Sequence, residues 1–175
     1  MKKYLILVLA GIIFFSACQT NAENAKELST DEFAAYTYLD FDEKGGRILL
    51  ATENTYGDAV AKASFLCDAY YESGGQRKYL GEIISRHGAG TSYSLKLDGE
   101  SILAAHHHNV ERYVIDHDEQ ALILAEYAFE TFDAEGNGTF TYFQISDGKE
   151  IVTNDPQFYN DLYAKYLNAE MIDFQ

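Results

Sequence analysis

The stretch that decides the fold covers residues 101–146 and reads SILAAHHHNVERYVIDHDEQALILAEYAFETFDAEGNGTFTYFQIS. Runs rich in aliphatic, aromatic and β-branched residues are separated here by polar segments such as DHDE and DAEGNG. Short apolar runs bounded by Asp, Asn and Gly are typical of β-strands joined by turns. We therefore predict strands at 101–108, 111–116, 121–132 and 139–146, arranged as an antiparallel meander.

The predicted strands continue toward the N-terminus. Residues 79–85 and 92–97 are strand-like, and the turn segments RHGAG and DG follow them. Further upstream, residues 34–53 alternate around Tyr36 and Tyr38, break at EKGG and resume at Ile48. The segments YTYLDFDEKGG and YAFETFDAEGN, which begin at Tyr36 and Tyr127, share aromatic residues, an FD pair and a glycine at matched offsets. Each is predicted to form a strand, an acidic turn and a second strand.

Two other segments show helical spacing. From Gly57 to Ser73, small and apolar residues recur every three or four positions, and Gly74-Gly75 would end a helix. The second helix is predicted to begin within TNDPQF, where Asn154 or Asp155 can cap it and Pro156 suits the first turn, and to continue through Leu167. The predicted fold class is α+β, an antiparallel β-meander with two packed helices, the second C-terminal. The alternative is a lipocalin-like β-barrel with a C-terminal helix.

The N-terminus carries a targeting signal. Lys2 and Lys3 precede an apolar run, and the run IIFFSACQT (residues 12–20) places small residues directly before Cys18. This layout is that of a signal peptide, and the apolar run is shorter than the roughly 20 residues that a spanning helix needs.

The segment from Phe15 to Cys18 resembles the lipobox of bacterial lipoproteins. The resemblance implies cleavage after Ala17, acylation of Cys18 and, because Gln19 is not aspartate, export to the outer membrane of a Gram-negative bacterium. We thus expect a signal peptide at 1–17, an anchor and flexible tether at 18–30, and a single domain at 31–175.

The charge of the chain limits its partners. It has 28 acidic against 13 basic residues and a formal net charge of −15. Nucleic acid binding needs a basic face, so it is excluded as an expected function. With Cys18 acylated, Cys67 is the remaining thiol, and its place among apolar residues predicts a buried, inert side chain.

Residues 129–144, FETFDAEGNGTFTYFQ, resemble the calcium loop of EF-hand proteins. The resemblance implies calcium ligands at Asp133, Glu135 and Asn137, a sharp turn at Gly138 and an entry helix before Asp133. The same residues suit the turn of a hairpin, which is the structure that we predict, with the calcium loop as its alternative.

A histidine cluster is the second candidate site. On a strand, His106 and His108 project to one face, and a neighbouring strand could bring His117 beside them, which would make a three-ligand zinc or copper site. The competing interpretation is a polar strand end without a metal.

No serine has the G-x-S-x-G setting of a hydrolase nucleophile, and no glycine-rich phosphate loop is evident. We therefore expect a non-catalytic binding domain without a cofactor. Its ligand would be an envelope protein or a small molecule, bound on an uncovered sheet face or between sheet and helices. The alternative is a metal-binding lipoprotein.

Overall fold

The computed structural model describes residues 28–39, 46–57, 61–85, 93–145 and 149–175. The predicted signal peptide, Cys18 and most of the predicted tether lie outside these residues, and the lipobox prediction stays a prediction. Within the described ranges, no helix has the length and apolar character needed to cross a bilayer.

The smaller of two main sheets has four antiparallel strands in the order β1-β2-β5-β6. We call it the small sheet. Its strands are β1 (Ala35–Leu39), β2 (Arg47–Thr52), β5 (Leu66–Ser73) and β6 (Gln76–Ile84). A separate short pair joins β3 (Tyr56–Gly57) to β4 (Lys62–Ala63).

The large sheet has seven strands in the order β12-β11-β10-β9-β8-β7-β13. Its strands are β7 (Lys96–Asp98), β8 (Ser101–His106), β9 (Asn109–Asp116), β10 (Ala121–Phe132), β11 (Gly138–Gln144), β12 (Lys149–Thr153) and β13 (Glu170–Met171). All pairings along it are antiparallel. The meander predicted for residues 101–146 is confirmed.

The large sheet is the middle layer of the molecule. Because side chains alternate along a strand, β8 sends Ile102 and Ala104 into the core shared with the small sheet, and Leu103 and Ala105 into a second core. The helix α1 (Gln157–Asn168) covers that second core with Leu162 and other side chains. We call the two faces of the large sheet the inner face, toward the small sheet, and the helix face.

The predicted C-terminal helix is confirmed. The Asp155 carboxylate accepts a hydrogen bond of 3.0 Å from the Gln157 N–H, and Pro156 directly precedes the first helical residue. Leu162 and Tyr166 are its buried residues, and Lys165 lies in the last turn, where positive charge is favourable. The helix therefore begins directly after Pro156 and includes Leu167, as predicted.

The helix predicted at Gly57–Ser73 is wrong. The described part of this segment forms the end of β3, then β4 and β5, and Cys67, Ala69 and Tyr71 alternate into the core between the two sheets. Gly74 and Gly75, with φ of 58° and 73°, form the two-residue turn between β5 and β6. A short apolar run fits both the helical and the strand period. Here the segment is a strand because it pairs with β2 and β6.

The barrel alternative is also wrong, since the described strands form open antiparallel sheets. The large sheet ends at β12 and β13, and the small sheet ends at β1 and β6. The chain buries its apolar faces by layering: the small sheet covers one face of the large sheet and α1 the other. The supported description is a β-rich α+β fold with one helix among the described residues, close to the C-terminus.

Candidate functional site

The structure separates the three histidines predicted to bind a metal. His106 ends β8 and pairs with Asn109 at the start of β9, so His107 and His108 form the turn between them. His117 follows the other end of β9, where its ring lies 6.4 Å from that of Tyr71. Eight residues of β9, at about 3.3 Å each, place His117 roughly 25 Å from the turn. The predicted set of three ligands is therefore not assembled.

No group of three or more His, Cys, Asp or Glu side chains that could hold a metal occurs among the described residues. His108 instead contacts two residues of the neighbouring strand β10. Its Nδ1 lies 3.4 Å from Glu130 Oε2, and its ring contacts that of Phe132 at 5.3 Å.

The calcium-loop residues form the turn of the β10–β11 hairpin. Asp133 Oδ1 accepts hydrogen bonds from the backbone N–H groups of Glu135 (3.0 Å) and Asn137 (2.7 Å), and Oδ2 accepts one from Asn137 Nδ2 (2.8 Å). The side-chain bond from Asn137 is the main reason that the Asp133 pKa is lowered. The entry helix that a calcium loop requires is absent here, since β10 runs through Phe132. The predicted hairpin is confirmed.

A cleft of about 720 Å³ is the main candidate site. It lies between the end of β6, the β8–β9 turn and the adjoining parts of β9 and β10. Its lining comprises Glu82, Ile84, His106, His107, His108, Asn109, Glu111, Tyr113, Phe129 and Glu130.

The position of the cleft follows from the approach of the two sheets. At Gly81, an added Cβ would lie 3.3 Å from Leu122 Cδ2, so β6 and β10 are in close contact there. Glu82 and Ile84, which follow on β6, line the cleft. Ser85 then ties the end of β6 to β8 through hydrogen bonds with the Ala105 backbone. The cleft lies between these two points of attachment.

A hydrogen-bonded group on β9 forms one wall. Glu111 Oε2 accepts a hydrogen bond of 2.6 Å from the Tyr113 hydroxyl, and Glu111 Oε1 accepts one of 2.8 Å from Asn109 Nδ2. Burial raises the pKa of Tyr113, and the bond to Glu111 raises it further. The phenol therefore stays protonated and keeps donating to Glu111.

Asn109 has a second side-chain polar atom, which does not face the open cleft. Its Oδ1 is buried and accepts no hydrogen bond from any residue that the structure describes.

An aromatic strip extends from the cleft along the inner face of the large sheet. We give this name to Phe129, Tyr127 and Phe143. The ring of Tyr127 stacks on Phe129 with centroids 6.0 Å apart and on Phe143 with centroids 5.2 Å apart. Cross-strand register places Tyr127 opposite Glu111 and Phe129 opposite Asn109, so the strip and the polar wall share one face. All three rings are partly exposed.

Other notable polar and reactive groups are structural. Cys67 is fully buried, as predicted, and burial raises the pKa of its thiol. On the helix face, Glu126 accepts hydrogen bonds from Arg112 (2.7 Å) and Tyr142 (2.8 Å). Lys165 Nζ also lies 3.5 Å from Glu126 Oε2. Because Arg112 lies on β9, Tyr142 on β11 and Lys165 on α1, the Glu126 carboxylate on β10 links these four elements.

The residues of the cleft wall are not among the site residues predicted from the sequence. Asn109, Glu111 and Tyr113 alternate along one strand, which was a usable signal that they share a face. Nothing local indicated that this face would remain partly uncovered beside the end of β6.

Scans of this chain against protein-family models, curated protein sequences and solved structures returned no match.

Proposed function

We propose that this chain is a lipoprotein of the bacterial cell envelope, anchored through Cys18 to the outer membrane, whose single domain is a non-catalytic binding module. The charged head, apolar run and small residues before Cys18 support the anchor. Several acyl chains on one cysteine would hold the protein stably, because each buried methylene contributes about 0.8 kcal/mol. The polar residues that follow Cys18 suit a tether.

The cleft is the observation that carries the binding proposal. It combines an apolar surface with a few fixed polar groups, which is the usual composition of a ligand site. Glu111 is held in place by hydrogen bonds from Tyr113 and Asn109. The Glu111 carboxylate is therefore a hydrogen-bond acceptor in a fixed position, because the Tyr113 hydroxyl and the Asn109 amide group both donate to it.

Site-specific photocrosslinking in cells tests the binding proposal. A benzoylphenylalanine in place of Phe129 would lie at the cleft, while the same group in place of Leu167, which is 58% exposed on α1, serves as the matched control. We expect a discrete product from position 129 that Glu111→Gln weakens, and none from position 167. Equal labelling at both positions, or none at position 129, would argue against a cleft ligand.

The anchor is tested separately by changing the acylated residue. We expect Cys18→Ser to abolish the acyl mass that mass spectrometry detects on the N-terminal peptide and to release the protein from the membrane fraction. Retention of the signal-peptide residues 1–17 in the wild-type mature protein, or an unmodified Cys18, would contradict the lipoprotein assignment.

A further inference from the structure

We infer that the cleft binds an organic cation that donates hydrogen bonds, a primary amine or a guanidinium attached to an apolar group. The inference rests on the proposed binding function and specifies its ligand class. Three properties of the cleft support it: the charge of its lining, the hydrogen-bonding capacity that remains there, and the adjoining aromatic strip.

The lining is acidic. Its described lining includes Glu82, Glu111 and Glu130, of which Glu130 lies 3.4 Å from His108, together with His106 and His107. No Lys or Arg occurs among the described residues that line it. The chain as a whole carries a formal net charge of −15, which adds to the negative potential at the cleft. An anionic ligand would meet repulsion here, and a cation would be attracted.

The remaining hydrogen-bonding capacity also favours a donor. The Tyr113 hydroxyl and the Asn109 amide group both donate to Glu111. Each Glu111 oxygen has a further lone pair. Ammonium and guanidinium groups have several N–H donors and no acceptor, so they complement this wall.

The aromatic strip accounts for the apolar part of the ligand. Phe129 lines the cleft and stacks on Tyr127, and Tyr127 lies directly across the strands from Glu111. Directly paired residues in an antiparallel sheet have Cβ atoms about 4.5–5.5 Å apart. A cation bound at Glu111 is therefore close enough to interact with an aromatic ring, and its apolar substituent can extend over Phe129.

Three probes that share a phenylethyl group and differ in charge test the charge requirement. The mature lipid-anchored protein in detergent micelles is titrated with phenethylamine, 2-phenylethanol and 3-phenylpropanoate, which are cationic, neutral and anionic. Two-dimensional NMR of the backbone amides locates the binding site. We expect phenethylamine to shift residues 106–113 and 127–130 and to bind about tenfold or more tightly than the alcohol, because charge-assisted hydrogen bonds are the strong ones. The carboxylate should not bind.

Matched variants test the residues. We expect Glu111→Gln to weaken phenethylamine binding about tenfold, and Glu82→Gln, which changes an exposed β6 residue, to weaken it less. Glu100→Gln, in the exposed turn between β7 and β8, should leave it unchanged. The Glu82 variant retains the hydrogen bonds of the β9 wall, so it provides a test that does not depend on how Glu111→Gln affects folding.

The outcomes separate the ligand class from the binding function. If the alcohol or the carboxylate shifts the cleft residues as strongly as the amine, the cation inference is overturned while cleft binding stands. Amine binding that neither Glu111→Gln nor Glu82→Gln weakens also overturns it. If no probe shifts the cleft residues, the inference fails, and an accompanying absence of crosslinks from position 129 removes the proposed function as well.

Discussion

Ser85 and Ala105 exchange two hydrogen bonds that join the small sheet to the large one. Ser85 Oγ donates to the Ala105 carbonyl oxygen at 2.6 Å and accepts from the Ala105 N–H at 2.9 Å. Strand β7 pairs with β8 only as far as Leu103. The backbone of Ala105 therefore has no β7 partner on that side, and the Ser85 hydroxyl forms hydrogen bonds with it instead. Both residues are fully buried, and the pair fixes the end of β6 beside the cleft.

Ser85→Ala is expected to destabilise the domain by about 2 kcal/mol or more, because each buried donor or acceptor left unpaired costs about 1–3 kcal/mol. Chemical denaturation measures the change, with the exposed Ser73→Ala as a control that should stay within about 0.5 kcal/mol of the wild type. An unfolding free energy equal to that of the control would show that the Ser85 pair contributes nothing.

Glu126 is expected to make stability depend on pH. Burial alone would raise its pKa, but hydrogen bonds from Arg112 and Tyr142, together with the positive charge of Lys165, outweigh burial and hold the pKa below its usual value. A carboxyl whose pKa is lowered by folding stabilises the fold above its unfolded pKa, about 4.3, and loses this contribution as pH falls through the folded pKa.

Glu126→Gln should therefore lower the free energy of unfolding by about 2 kcal/mol near neutral pH, where Arg112 loses a charged partner. The difference from the wild type should shrink below about pH 4. Denaturant unfolding at several pH values measures both effects, and Glu119→Gln, in an exposed turn, is the control. A difference that is constant across the pH range would contradict this account.

Phe174 makes the extreme C-terminus part of the core. Its side chain is buried in the core between the two sheets, and its N–H donates to the Lys62 carbonyl oxygen at 2.8 Å. Phe174→Ala should destabilise the domain by about 3–5 kcal/mol, as for other large core aromatics. Met171→Ala, at a position that is 40% exposed, should have a much smaller effect. Similar unfolding midpoints for the two variants would show that Phe174 is not packed as described.

Asp133 and Glu135 distinguish a hairpin turn from a calcium loop. In the hairpin, the Asp133 carboxylate closes the turn, whereas Glu135 contributes its backbone N–H. Asp133→Ala should lower the unfolding temperature equally in chelator and in calcium, and Glu135→Ala should leave it unchanged in both. Calcium stabilisation of the wild type that either substitution removes would restore the calcium-loop assignment.

The local sequence was sufficient to predict those elements whose ends are marked by turn or capping residues. Turn residues such as those at 133–138 correctly predicted the β10–β11 hairpin, and Asp155 with Pro156 correctly predicted the start of α1. Residues 66–73 were misassigned because their apolar positions fit both a helix and a strand. Pairing with β2 and β6, which no local pattern encodes, resolved the choice.

The candidate site depended more strongly on long-range packing. The histidines were predicted to converge, yet turns at opposite ends of β9 hold His108 and His117 apart. Conversely, Glu82 and Glu111 line one cleft although the sequence gives no reason to associate them.

By itself, the sequence determined the meander and the terminal helix, because side-chain period, turn chemistry and capping act over a few residues. The tertiary structure alone decided which faces are covered and where the cleft lies. It did so because a four-stranded sheet packs against part of a seven-stranded one, leaving Glu111 and Phe129 beside an open space.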